Sequence, residues 1–366
     1  MNAWRMVGHD GAVHAFRGAR RSGRLAHAYV IVGQPGVGRR TFAIRLAQEL
    51  RCTGAEPPCF ACDNCQRLDE HNPIWRAAVR RAAYGAARPD AQKDAQGRRI
   101  DAVHTEVFDL QVLRRADHRR DISIDGVGEF CAALHLKPAY GSARIGIVDG
   151  AHELNGDAAS RLLKTLEEPP LETVIVLLTP SVSDLLPTIA SRCRVVELSP
   201  VPAAAISAHL VTAHGRDAES AAAIAEASRG RPGWAITMAA RPDRWDAERA
   251  HQDAARDFER ADRPSRLRLV AEVGTPGRGR GLELAREAAE WLAVLEREQA
   301  RALDEAMRHN GAAADAHARA SLRVAVERLR RTRQARFLIG RNVSHRLVLE
   351  DLALRPHAPP MVARTL

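Results

Sequence analysis

The sequence predicts a doubly wound α/β domain followed by two helical units, and three observations carry that reading. A short apolar run (His27–Val32) enters a glycine loop and leaves it into a helical pattern. Further apolar runs then alternate with helical segments as far as residue 198. From Pro200 onward the chain turns Ala-rich and mostly helical. At 366 residues it is too long for one ordinary core.

The elements follow in order. Phe42–Leu50 places Phe42, Leu46 and Leu50 four residues apart on one helical face. A polar Ala/Arg-rich stretch, residues 76–120, has weak periodicity and is expected to be a surface insertion. Asp121–Leu136 reads as a strand end leading into a helix, and Arg144–Asp149 (RIGIVD) as a second apolar strand closing on an acid. Ala158–Leu166 is helical and is stopped by Pro169 and Pro170. Thr173–Thr179 (TVIVLLT) opens with four β-branched residues and Val195–Leu198 gives a fourth strand. Runs apolar on both faces suit a parallel sheet buried between helices. The expected domains are 1–200 (α/β), 201–240 (small helical unit, with a turn at Arg229–Gly233) and 241–366 (larger helical bundle). Breaks are expected in the bundle at Gly274–Gly281 and His309–Ala312, leaving Leu282–Met307 and Ser321–Leu338 as amphipathic helices.

Composition bounds the function classes. No run approaches a membrane span, and the first residues lack an apolar signal core, so a cytoplasmic, non-membrane protein is expected. The formal net charge is +10 with a pI of about 10, which points toward nucleic acid. Only three lysines occur (Lys93, Lys137, Lys164) in a chain rich in Arg and Ala. Coding bias therefore explains the charge as well as phosphate contacts do.

The glycine loop, VGQPGVGRRT (Val32–Thr41), nearly spells G-x-x-x-x-G-K-[ST]. Gly33, Gly36 and Gly38 can form the backbone turn that faces N–H groups toward phosphates. Arg39 stands where Lys belongs, and its planar fork fills a different volume. Arg40 replaces the hydroxyl residue, and a guanidinium cannot ligate a cation. Thr41 carries a hydroxyl, but one residue along a helix it points about 100° away. The acidic strand ends Asp149-Gly150, so an acid for Mg²⁺ is present while the Glu that would follow it is missing. Glu153, three residues on, cannot replace it without a different backbone path. Ordinary Mg-ATP binding is not expected.

Four of the six cysteines fall at Cys52-x₆-Cys59-x₂-Cys62-x₂-Cys65. With no export signal, such clustering favours a metal over disulfides. Four closely spaced thiolates suit a closed tetrahedral zinc site with a structural role; an iron–sulfur centre and a reduced, metal-free cluster stay open. His71 could compete as a ligand by position but reads better as a surface or capping residue, and Cys131 and Cys193 read as buried small apolar residues.

SRLLKTLEEPP (Ser160–Pro170) and LLPTIASRCRVVEL (Leu185–Leu198), taken with the loop and the cysteines, resemble the AAA+ clamp-loader proteins of bacterial DNA polymerase III, among them the delta-prime type. The resemblance covers Leu25–His71 and Ile122–Met238 and returns weakly at Asn342–Leu354. It implies an AAA+ P-loop-type domain with a zinc-binding module (52–65), a helical lid (201–240) and an all-α collar (241–366). It implies a hetero-pentameric ring with ATPase gamma/tau-type and delta-type subunits, acting on a sliding clamp and primer–template DNA. Spacing alone would make Arg192 an ion pair at a helix end. The resemblance implies instead an arginine finger, in Ser191-Arg192-Cys193, reaching a neighbour's ATP. Thr179 matches the γ-phosphate-sensing position, Asp149 the Mg²⁺ acid, and Gly233 a position where active members often carry Arg. A non-hydrolysing clamp-loader subunit with no intrinsic ATPase activity is the leading expectation. The rival is an active AAA+ motor or related replication ATPase in which Arg39 and Thr41 do the usual work. A zinc-bearing DNA-binding adaptor is the third reading and leaves Arg192 without a task.

Overall fold

The computed structural model describes residues 2–69, 102–107, 109–115, 121–139, 143–274, 281–310, 316–341 and 343–354. His71, Asn342, residues 76–101 and residues 116–120 lie outside the described residues. The chain forms two compact units, Met1–Ala240 and Arg241–Leu366.

The first unit is built on a six-stranded sheet of order β2-β3-β4-β5-β1-β6. The strands are β1 (Ala28–Val32), β2 (Ala102–Val107), β3 (Leu110–Arg115), β4 (Arg144–Asp149), β5 (Thr173–Thr179) and β6 (Arg194–Glu197). Every pairing is parallel except β2 with β3. The register sets Val32 beside Thr179 and beside Glu197, so β1, β5 and β6 end together at the glycine loop.

Alternation along each strand explains why these runs are apolar throughout. Tyr29, Ile31, Val176 and Leu178 enter one core layer with Phe42 and Leu46 of α2 (Arg39–Arg51) and Phe16 of α1 (Asp10–Arg21). Val30, Ile175 and Leu177 enter the opposite layer with Phe130 of α4 (Ile124–Leu134) and Leu162 of α5 (Gly156–Glu167). The start of α5 is set by Asn155, whose Oδ1 accepts from the Ala158 N–H at 2.9 Å.

Gly146 shows how tightly the second layer closes. A Cβ there would lie 2.6 Å from Phe130 Cζ and 3.1 Å from Leu134 Cδ2. Gly146→Val is expected to destabilise the chain by about 1–3 kcal/mol through overpacking. Chemical denaturation should show a lower midpoint with an unchanged slope; an unchanged midpoint would contradict this packing.

One expectation is corrected. Residues 102–107 and 110–115 belong to the stretch read as a surface insertion, yet they are β2 and β3, and β3 lies inside the sheet with Leu110 and Leu113 fully buried. The turn between them sends Asp109 into the interior, 3.5 Å from Arg51 and 3.2 Å from Arg144. Its carboxylate also accepts the Ala139 N–H at 2.9 Å. Buried charges need such partners, and here they fasten the hairpin to α2 and β4. The other strands agree with expectation to within a residue or two; within Asp121–Leu136 the helix is Ile124–Leu134, and the expected strand end is only an isolated bridge at Ile122.

After α6 (Pro187–Ala190) and β6, helices α7 (Ala203–His214), α8 (Ala218–Ser228) and α9 (Pro232–Ala239) complete this unit. The second unit holds α10 (Pro242–Arg260), α11 (Arg263–Gly274), α12 (Gly281–Asn310), α13 (Ala316–Gly340) and α14 (His345–Leu354). Its core centres on Trp291, Leu292, Leu295 and Phe258, with the Phe258 and Trp291 rings edge-to-face at 5.3 Å. Among the described residues no helix is long and apolar enough to cross a membrane.

Candidate functional site

The loop between β1 and α2 has the backbone that its glycines require. Gly36 and Gly38 adopt φ of 87° and 116°, where any side chain would be strained. Gly33 N–H donates to the Thr179 carbonyl at 3.3 Å, anchoring the loop to β5. His9, a residue that sequence reasoning missed, reaches the Val37 carbonyl through Nε2 at 3.0 Å. Burial lowers the His9 pKa, against the opposing pull of that carbonyl and of Asp10.

The two arginines take up the space next to the acid. Arg40 lies 3.1 Å from Asp149 Oδ2, the acid that ends β4. A cation held by Asp149 would have to displace this guanidinium. Burial lowers the Arg39 pKa while the Asp149 charge works against it. Glu153, dismissed on spacing as a substitute acid, is engaged elsewhere, 3.0 Å from Arg115. Thr179 is fully buried and spends its hydroxyl on the Ser181 carbonyl at 2.9 Å. The residues present therefore do not fit a magnesium–nucleotide complex held in the ordinary way.

The small helices meet this loop. Gly233 N–H donates to the Gly36 carbonyl at 2.9 Å, and a Cβ on Gly36 would lie 3.3 Å from Trp234 Cβ. Arg231 stands over the Trp234 ring at 5.3 Å. The replacement singled out at Gly233 thus touches the loop directly. Sequence spacing gave no signal for this contact, because 197 positions separate the two glycines.

Arg192 lies in the short turn between α6 and β6. Its guanidinium lies 2.7 Å from Glu167 Oε1 and donates from Nη1 to the Thr188 carbonyl at 2.9 Å. The side chain remains 38% exposed. The ion pair at a helix end is present, and Nη1 also lies 3.5 Å from Ser191 Oγ.

The four cysteines come together beside α2. The ligand atoms of Cys52, Cys59, Cys62 and Cys65 all lie within 4.8 Å of one another. Tetrahedral zinc with thiolates at about 2.3 Å needs sulfurs about 3.8 Å apart; Cys52 and Cys62 sulfurs are 3.9 Å apart. Backbone N–H groups of Gly54 and Cys59 donate to Cys52 Sγ, both at 3.3 Å, and Cys62 N–H donates to Cys59 Sγ at 3.2 Å. Burial opposes ionisation of Cys62, but Thr53 and Cys65 donors outweigh it and bring the thiol down to about 6. At Cys65 burial wins and raises the pKa. A Cβ on Gly54 would lie 2.8 Å from Cys59 Sγ, so the cradle is closed on that side. This set can bind a metal ion. Cys131 is buried as expected; Cys193 is half-buried against the second core layer, and burial lifts its thiol to about 11.

Comparison with known proteins places the chain in a family. Residues 8–202 match the model of the family described as DNA polymerase III, delta subunit. The DNA polymerase III subunit delta' of Pseudomonas aeruginosa is 31% identical over 184 residues, 50% of this chain and 45% of that protein. The delta' subunit of Escherichia coli is 28% identical over 296 residues, 80% of this chain and 73% of its own length. The DNA polymerase III subunit tau of Salmonella typhimurium is 30% identical over 190 residues, 51% of this chain but only 24% of that protein. The chain thus spans less than half the length of the P. aeruginosa and S. typhimurium relatives it matches. With more than half of its residues matched by that model, the chain belongs to the DNA polymerase III delta-subunit family.

Proposed function

We propose that this chain is a non-hydrolysing, delta-prime-like subunit of a DNA polymerase III clamp loader. It would assemble with gamma/tau-type and delta-type subunits, help place a sliding clamp on primed DNA, and present Arg192 to ATP held by a neighbour. The observation that carries the non-hydrolysing part is the Arg40–Asp149 pair at 3.1 Å. Where an active loop needs a hydroxyl and an acid to share a metal ion, this one has a cation already on the acid. The Gly233–Gly36 contact at 2.9 Å adds to it by setting the small helices against the loop. The cysteine set serves as a structural zinc site, since four thiolates leave no open coordination position for chemistry.

Calorimetric titration of the purified, zinc-replete chain with ATP, with and without Mg²⁺, tests the reading alongside a phosphate-release assay. Neither binding up to millimolar ATP nor turnover is expected. Mg²⁺-dependent binding with turnover abolished by Arg39→Ala would replace this reading with an active ATPase.

A further inference from the structure

Glu167 occupies a locally unfavourable place. It is the last residue of α5 (Gly156–Glu167), where the negative end of the helix dipole disfavours a carboxylate. Its side chain is half exposed, so no burial requires an acid there. What the carboxylate does is meet the Arg192 guanidinium at 2.7 Å. Arg192 Nη1 donates to the Thr188 carbonyl at 2.9 Å, in the first turn of the short helix α6. Ser191 Oγ lies 3.5 Å from the same Nη1, so three acceptors hold one guanidinium, and Glu167 is the only carboxylate among them. An arginine fork has five N–H donors, and these three contacts leave donors over for a further anion. A flexible side chain at this exposed position would otherwise lose rotamer freedom on engaging a ligand. A local conflict that the rest of the fold does not require is where function is to be sought.

We propose that Glu167 is a positioning residue for Arg192, holding the plane of its guanidinium so that the remaining donors face a phosphate group on a neighbouring subunit. The inference rests on the arginine-finger reading of Arg192. In the reaction served, a water oxygen bonds to the γ-phosphorus of the neighbour's ATP as the bond to the β,γ-bridging oxygen breaks. ADP and phosphate leave, with the water's proton released to solvent. Arg192 stabilises charge on the transferred group, and Glu167 touches no reacting atom.

The test is ATP turnover, kcat and KM, in the reconstituted assembly carrying wild-type chain, Glu167→Ala, Glu167→Gln, Arg192→Ala and the Glu167→Ala/Arg192→Ala double variant. Glu167→Ala is expected to lower kcat about tenfold with KM for ATP unchanged, the size of one hydrogen bond between charged groups. Glu167→Gln keeps an acceptor oxygen and should recover most of that loss. The double variant should be no slower than Arg192→Ala alone, because Glu167 acts only through Arg192. If Arg192→Ala slows turnover but Glu167→Ala does not, or if the two losses multiply, the positioning role is overturned while the finger stands. If Arg192→Ala itself has no effect, the finger reading falls and the positioning role falls with it. Melting temperatures of the variants confirm that each is folded, since an exposed pair contributes little to stability.

Discussion

Arg192→Ala in the reconstituted assembly is expected to lower ATP turnover on the order of 10³-fold, the lower end of what a finger supplied in trans contributes. Nucleotide affinity should change little. The neighbour's own loop would bind the ground-state phosphates, whereas Arg192 meets charge that grows as the γ-phosphoryl group is transferred. An interaction made mainly in the transition state appears in kcat and leaves KM alone. Arg192→Lys should fail to restore the rate, because an ammonium is a point charge without the planar fork. The free chain should be indifferent to either change, as the side chain is 38% exposed and its contacts with Glu167, Thr188 and Ser191 lie at the surface. Turnover within a factor of two or so of wild type would remove the finger from the mechanism.

Stripping the metal from the cysteine set is the second large effect. One zinc per chain is expected by elemental analysis, and strong chelation should lower the unfolding midpoint of the first unit. A ligand bound only by the folded state stabilises it by about 4 kcal/mol when free metal exceeds its dissociation constant 1,000-fold. The module is fastened to α2 through Gln48, whose Nε2 donates to the Cys65 carbonyl at 2.7 Å. Asn64 adds a second tie, from Nδ2 to the Arg51 carbonyl at 2.9 Å. Losing the metal should therefore be felt in the main core as well as in the short loop. Cys65→Ser changes the most buried of the four, and should abolish both the stoichiometric metal and the chelator effect. Metal loss should also follow acidification, since each ligand must be a thiolate to bind. Identical midpoints with and without chelator would leave the cysteines as a reduced cluster.

Much of the fold was legible from residue order. Runs such as TVIVLLT and RIGIVD face core on both sides, so their apolar character marks a parallel sheet without knowledge of their partners. The cysteine spacing brings four sulfurs together because the intervening loops are short. The replacements at Arg39 and Arg40 were visible as departures from a motif whose chemistry demands particular atoms. β3 was missed because Gln111, Arg114 and Arg115 break its apolar run, although Leu110 and Leu113 are fully buried. What fastens it in the sheet is Asp109, an acid that the fold buries between two arginines drawn from α2 and β4. Such a pairing is a long-range fact and leaves no local pattern.

What the sequence by itself determined is chemistry and period: which atoms the loop lacks, which sulfurs can share a metal, and which runs have two apolar faces. Which distant residues meet is settled by the tertiary fold. It set Arg40 on Asp149, Gly233 against Gly36, and Glu167 behind Arg192. The physical reason is range. Periodicity and motif spacing act over a few residues, where backbone geometry is nearly constant. Ion pairs and backbone contacts between distant segments depend on how the sheet twist and helix packing bring those segments together, to a few tenths of an ångström.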